Sequence, residues 1–213
     1  MGQLIRPEAL FLTAILAGDR ELALEEATLH FEREGVASLY ERLVRPALVQ
    51  VGARWALNQI SVADEHLATA TAQSAVAALY PRFLWPERGQ RVLIACVEGE
   101  RHDFGARMVA DLLGLDGWKD LFLGADVPSG ALVEQAAQLS PTFIALSVTL
   151  PQHLPSLERL IRQLREAVPR AKLLIGGSAL AHHPDAAKQL GGDAGGQSAA
   201  QAVELARPWR SIR

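Results

Sequence analysis

Cysteine is nearly missing from this sequence. Cys96 stands alone, so no disulfide framework braces the chain, and its place inside an apolar run reads as a small buried hydrophobe. Basic runs are missing as well. With a formal charge of -3 and no Lys/Arg cluster, the chain offers no broad attraction to a phosphate backbone. No direct DNA binding is therefore expected. No apolar run approaches the length of a bilayer span, and the first residues, Met-Gly-Gln-Leu-Ile-Arg-Pro-Glu, lack the apolar core of a signal peptide. The expectation is a cytoplasmic protein with no membrane association. What remains is ordinary globular composition, 49% hydrophobic and 21% charged, over 213 residues, enough for two modest domains.

The two halves carry different periods. Residues 1–85 show no strand pattern. Pro7 suits a first helical position, and a helix from there stops near Gly18-Asp19. A second runs from Arg20 to Glu34 with Leu22, Leu24, Ala27 and Phe31 as its apolar stripe, and ends at Gly35. A third runs from Ala37 to Leu57 with a kink at Pro46. The fourth is capped by Ser61, with Asp64 three residues on, and its Ala/Thr-rich body allows close packing. Short connections between four helices predict a bundle. After Pro86-Glu87-Arg88-Gly89, residues 86–213 alternate strand and helix. Strands are expected at Arg91–Val97, Lys119–Leu123, Thr142–Ser147, Leu173–Ile175 and, weakly, Asp193-Ala194. The predicted fold is α/β with an all-α cap: a four-helix bundle followed by a flavodoxin-like, five-stranded parallel sheet in the order 2-1-3-4-5.

In that order the loops after strands one, three and four share one crevice at the carboxyl ends of the strands, where open α/β sheets bind ligands. The first loop reads Glu100-Arg101-His102-Asp103-Phe104-Gly105. A carboxylate two residues before an imidazole can reach its ring, as in a metal-ligating histidine whose other nitrogen is held by an acid. The loop after strand three offers hydroxyls on Ser147 and Thr149. The loop after strand four offers Gly176 and Gly177, a pair that permits close backbone approach to a bulky group. His153 and the pair His182-His183 follow these loops; they read as loop surface, with contact to a bound ligand as the alternative. His30 reads as a helix-surface residue.

These residues resemble the D-x-H-x-x-G, S-x-L, G-G signature of proteins that bind cobalamin with its own base displaced. Glu100 stands where that family has Asp, keeping the carboxylate, and Thr149 stands where it has Leu. The resemblance implies that His102 is the lower axial ligand of cobalt. It further implies that Ser147, Thr149, Gly176 and Gly177 flank the displaced nucleotide tail, with Arg101, Asp103 and Gly105 part of the cofactor-binding set. The helical half narrows the likeness. Trp55, followed after nine residues by Glu65 and His66, is similar to the tryptophan–glutamate–histidine motif of the CarH-type adenosylcobalamin photoreceptors. Their lower loop also takes the form Glu-Arg-His.

What the resemblance implies is a light sensor without catalytic residues. Adenosylcobalamin would bridge bundle and sheet domain, with the adenosyl group under Trp55. Light would break the cobalt–carbon bond, and His66 is the candidate upper ligand after photolysis. A changed surface would then alter a homo-oligomer, dimer or tetramer, or the hold on a protein partner such as a transcription regulator. The helix-turn-helix usual in that family has no counterpart ahead of the bundle, so action through a partner is expected. A second tetrapyrrole, such as a bilin at a subunit interface, is a subsidiary expectation. The rival reading is a corrinoid methyl-shuttle protein of a methyltransferase system, whose cap must uncover the cobalt. A phosphorylation receiver on this fold is disfavoured, because the strand-three loop has no aspartate to accept the phosphoryl group.

Overall fold

Four helices precede the first strand, and the residues that break them set their lengths. The computed structural model describes residues 7–181 and 185–211. Helix α1 spans Pro7–Ala17. Gly18, at φ +69°, turns the chain, and the Asp19 carboxylate accepts the Leu22 N–H at 3.0 Å to start α2, Arg20–Ser38. Gly35 interrupts α2 with φ 79° and ψ -179°, the position where the sequence predicts its end. Beyond the break, Leu39–Val44 wind as a π turn into α3, Arg45–Ala56. The sequence predicts a kink at Pro46. The chain widens instead: the Arg45 N–H donates to Tyr40 O, five residues back, so the proline ring meets no four-residue turn to disrupt.

Helix α4, Val62–Ala77, opens on a full capping box. Ser61 Oγ accepts the Asp64 N–H at 3.1 Å, and Asp64 Oδ2 accepts the Ser61 N–H at 2.8 Å. The side-chain and backbone hydrogen bonds from Ser61 hold the Asp64 carboxyl below its ordinary range. The bundle packs small residues against small: Ala23 and Ala27 of α2, and Ala68, Ala72 and Ala75 of α4, are buried around Phe11, Ile15, Tyr40 and Leu43.

Two expectations for α2 are corrected. Of the predicted stripe Ala27 is buried, whereas Leu22, Leu24 and Phe31 are only partly covered, and the buried face is Ala23, Glu26, Ala27 and His30. His30 is not on the surface but 3% exposed, with Nε2 3.0 Å from Ser38 Oγ. The break at Gly35 is followed within one turn by that serine, which gives the buried imidazole a hydrogen-bond partner.

The second part of the chain is a parallel sheet: β1 Arg91–Cys96, β2 Lys119–Phe122, β3 Phe143–Ser147, β4 Lys172–Gly176 and β5 Ala194–Gly196, in the order β2-β1-β3-β4-β5. Between them run α5 Phe104–Leu115, α6 Ser129–Leu139, α7 Leu154–Ala167 and the short α8 Ala186–Gln189, and α9 Ala199–Ala206 follows β5. Five consecutive buried residues, Val92–Cys96, mark β1 as covered on both faces. Trp118 is fully buried and stacks edge-on against Phe143 at 4.9 Å, and Trp209 closes on the same ring at 5.2 Å. The chain divides into two compact units, one ending at Leu84 and the other beginning at Trp85. No helix among the described residues is long and apolar enough to cross a membrane.

Candidate cofactor site

The register of the sheet places four small residues in one row at its carboxyl edge. Cys96 pairs with Ser147, Ser147 with Gly176, and Gly176 with Gly196. The row carries no bulky side chain, and it lies at the carboxyl edge, where ligands bind in open α/β sheets. The Cys96 thiol donates to the His102 backbone carbonyl at 3.7 Å. Burial, and then the Asp103 and Glu100 charges, push it up to about 12, so it stays a protonated, inert hydrophobe.

Above this row the β1 loop folds around a single carboxylate. Glu100 is fully buried, and its two oxygens take five donors. Oε1 accepts the His102 backbone N–H at 3.0 Å and lies 2.5 Å from His102 Nδ1. Oε2 accepts the N–H groups of Thr149 at 2.8 Å and Leu150 at 2.9 Å, and lies 3.1 Å from His153 Nδ1. Burial alone would raise this carboxyl; the bonds from His102, Leu150 and His153 outweigh it and hold Glu100 far below the carboxylate range. It is therefore an anion clamped by both loops. With Nδ1 facing the acid, Nε2 is the nitrogen through which His102, its side chain 40% exposed, would meet a metal.

The remaining loop contacts are backbone devices. Gly99, at φ +89°, donates its N–H to Asp126 Oδ1 at 2.7 Å. Glu98 Oε2 accepts from the Ser129 hydroxyl at 2.9 Å at the start of α6. Gly177 has an internal reason to be glycine: φ is +109°, and a Cβ there would lie 2.0 Å from Val148 O. Gly105 has none, since a Cβ would meet nothing within 4 Å. The space over Gly105 is open, beside His102 on the first turn of α5, and this chain's own packing does not require a glycine there.

The sequence-predicted residues separate accordingly. Glu100 and His102 meet as expected. Thr149 joins them through its amide rather than its hydroxyl, so the departure from leucine leaves that contact untouched, and Ser178 Oγ donates to Thr149 O at 3.1 Å. Ser147, Gly176 and Gly177 line the edge. Arg101 and Asp103 lie on the same loop and Gly105 on the first turn of α5, all outside the Glu100 bonds. His153, read from sequence as loop surface, is corrected: its side chain is only 15% exposed and bound to Glu100. That contact joins residues 53 apart, and no local spacing announces it. His182 and His183 lie outside the described residues.

In the helical unit, Trp55 sits half-buried at the end of α3. Glu65 and His66 sit on the first turn of α4. Glu65 Oε1 accepts from the Thr69 hydroxyl at 2.8 Å, and Oε2 lies 2.5 Å from His66 Nδ1. The His66 side chain is 73% exposed. The helix thus presents an imidazole oriented by an acid, the same pairing as in the β1 loop. Among the described residues no group of three or more His, Cys, Asp or Glu side chains is placed to hold a metal by itself.

Comparison with known proteins agrees with this chemistry. A B12 binding domain model matches residues 90–204, and a second B12 binding domain model matches residues 8–80. The HTH-type transcriptional repressor CarA of Myxococcus xanthus is 29% identical over 168 residues, 79% of this chain and 55% of that protein. Trimethylamine corrinoid protein 1 of Methanosarcina acetivorans is 34% identical over 118 residues, 54% of each. The chain thus spans about half the length of these relatives. The monomethylamine corrinoid protein of Methanosarcina barkeri shares the fold, with a TM-score of 0.78 at 23% identity over 92% of this chain and 94% of that one.

Proposed function

We propose that this chain, which belongs to the B12-binding domain family, is a cobalamin-dependent light sensor that works without catalytic turnover. The observation that carries this reading is the oriented, solvent-facing His66, paired to Glu65 at 2.5 Å on the first turn of α4, with the half-buried Trp55 at the end of the preceding helix. A second imidazole of this kind is superfluous for holding cobalamin from one side. It has a use where the upper position of the metal changes hands.

Adenosylcobalamin, when bound, supplies a cobalt–carbon bond that light cleaves. The chain's residues supply the rest. His102, held by Glu100, is the lower ligand. The small residues Cys96, Ser147, Gly176 and Gly196 at the sheet edge and the open space beside Gly105 would hold the cofactor next to His102. Trp55 offers an apolar face, and Glu65 keeps His66 turned toward a metal. The output is a changed oligomeric state or a changed grip on a protein partner.

The test is a pair of absorption spectra of adenosylcobalamin-loaded protein, dark and green-illuminated, each with a sizing column. A spectral change accompanied by a shift in elution is expected. A light-stable spectrum and unchanged elution would remove the sensor reading.

A second reading is favoured by the likeness to trimethylamine corrinoid proteins: a methyl-shuttle subunit. It requires an accessible upper face, which His66 and Trp55 would obstruct. Methyl transfer from methylcobalamin-loaded protein to a thiol, given a partner methyltransferase, would establish the shuttle in place of the sensor.

A further inference from the structure

Asp126 is one of three non-glycine residues with a positive φ among those described. The other two finish helices: Ser140, at φ 46°, caps α6, and Asn58, at φ 55°, follows the cap of α3. Asp126, at φ 50°, finishes none. It stands in the connection between β2 and α6 and turns two groups on the β1 loop. Its N–H donates to Glu100 O at 2.8 Å, and its Oδ1 accepts the Gly99 N–H at 2.7 Å. Both partners sit in one turn, closed by the Glu100 N–H on Val97 O at 2.9 Å, with Gly99 at the position that takes a positive φ. The turn itself offers the Gly99 N–H no acceptor, and Asp126 supplies one. A left-handed backbone is uncommon outside glycine and persists where the surrounding contacts hold it.

We propose, resting on the cobalamin-binding role of His102, that Asp126 is a positioning residue for the lower axial ligand. It grips the backbone on either side of Glu100, the Gly99 amide before and the Glu100 carbonyl after, and so sets where the chain enters the His102 position. The carboxylate bonds of Glu100 orient the His102 ring relative to that side chain, but they leave open where the backbone carrying both residues stands. The ladder of β1 ends with the Val97 N–H on Ser147 O at 3.2 Å. Past that bond, Asp126 is what ties the backbone of Gly99 and Glu100 to a neighbouring element. A bond to a carboxylate is worth roughly twice a neutral one, which suits an acid to this place better than a bare turn residue. The Ser129 hydroxyl, donating to Glu98 Oε2 at 2.9 Å, adds a tie from the same connection one residue earlier in the turn.

The experiment uses the full chain, labelled with ¹⁵N-histidine and loaded with cob(II)alamin, read by electron paramagnetic resonance. A histidine nitrogen on cobalt appears as a doublet, whereas the cofactor's own unlabelled base would give a triplet. Asp126→Gly keeps the left-handed backbone and the N–H and removes only the acceptor. The expected result is corrinoid still retained on a sizing column, with the ratio of doublet-bearing to His-free cobalt lowered about tenfold. Asp126→Asn keeps an oxygen where Oδ1 stood and is expected to stay within about threefold of wild type, as a neutral bond should. Asp126→Glu keeps the charge but moves the oxygen one methylene outward, and is expected to fall as glycine does. If the glycine variant does not fold, as judged by circular dichroism, the asparagine–glutamate pair carries the comparison. A lowered melting temperature of the Asp126→Gly apoprotein with an undiminished doublet assigns Asp126 to folding alone and overturns the proposal. A loss that asparagine repairs no better than glutamate overturns it too. A wild-type protein without a doublet, or a doublet that persists in His102→Ala, overturns instead the reading of His102 beneath it.

Discussion

Glu100 Oε1 lies 2.5 Å from Nδ1 of His102 and accepts the backbone N–H of the same residue at 3.0 Å. One oxygen thus fixes both the ring and the backbone of the residue that carries it. Replacing Glu100 by Gln cannot reproduce this. Every neighbour of both oxygens is a donor, so either orientation of the amide turns its NH₂ against N–H groups. Glu100→Gln is expected to lower cobalamin affinity by about 10- to 100-fold and to reduce stability by on the order of 3 kcal/mol. Titration with cobalamin and urea unfolding of the apoprotein measure the two effects separately.

Glu100 also gives the chain an acid-sensitive element. Its native carboxyl lies well below the ordinary range, because its hydrogen bonds outweigh the penalty of burial. A depressed carboxyl stabilises the fold above its unfolded value, about 4.3. That stabilisation is lost as pH falls toward the native value, because the unfolded chain takes up the proton first. In urea midpoints measured from pH 6 down to pH 3, wild type should lose stability below about pH 4.3 more steeply than Glu100→Gln, by about 1.4 kcal/mol per pH unit. Parallel curves would show that the carboxylate is not the anion described.

The two glycines of the site should respond in opposite ways. Gly177→Ala drives a Cβ into the Val148 backbone at a left-handed φ, where neither side can yield. The expected loss is about 3 kcal/mol or more, visible as a fall in melting temperature of the apoprotein. Gly105→Ala meets open space on a helical turn. It should raise apoprotein stability by about 0.5–1 kcal/mol, the helical gain over glycine, while weakening cobalamin binding. A Gly105→Ala protein that binds cobalamin as wild type does would place the corrin elsewhere.

The division between what sequence revealed and what it hid follows the range of the interactions. The alternation of strand and helix depends on periodicity, and the cap at Ser61 and the Glu100–His102 pair on contacts within three residues, so each is readable locally. The π turn before Pro46 is a local conflict with two solutions, a kink or a widened turn, and packing around Tyr40 and Leu43 selects the second. His30 and His153 were misread for a different reason. A polar ring is assigned to the surface unless a partner is visible. Their partners, Ser38 beyond a helix break and Glu100 across the sheet, appear only when the chain folds back. Gly177 and Gly105 look alike in sequence, and only the neighbouring Val148 backbone separates a structural glycine from one that leaves room.

His66 offers the sharpest separation of binding from response. Its side chain is 73% exposed and pairs with Glu65, so His66→Ala removes little that folding needs. Surface changes of this sort stay within about 0.5 kcal/mol, and dark affinity for adenosylcobalamin should remain within about twofold of wild type. The illuminated state should differ: without the imidazole, the post-illumination spectrum should lose the signature of a second nitrogen ligand, and any shift in oligomeric size should weaken. Ser61→Ala provides the control for position rather than identity. It keeps His66 but frays the turn that carries it, at a cost of about 1 kcal/mol to the helix, and should give an intermediate illuminated response. If both variants match wild type before and after light, the first turn of α4 has no part in the response, and the upper face must be read by other residues.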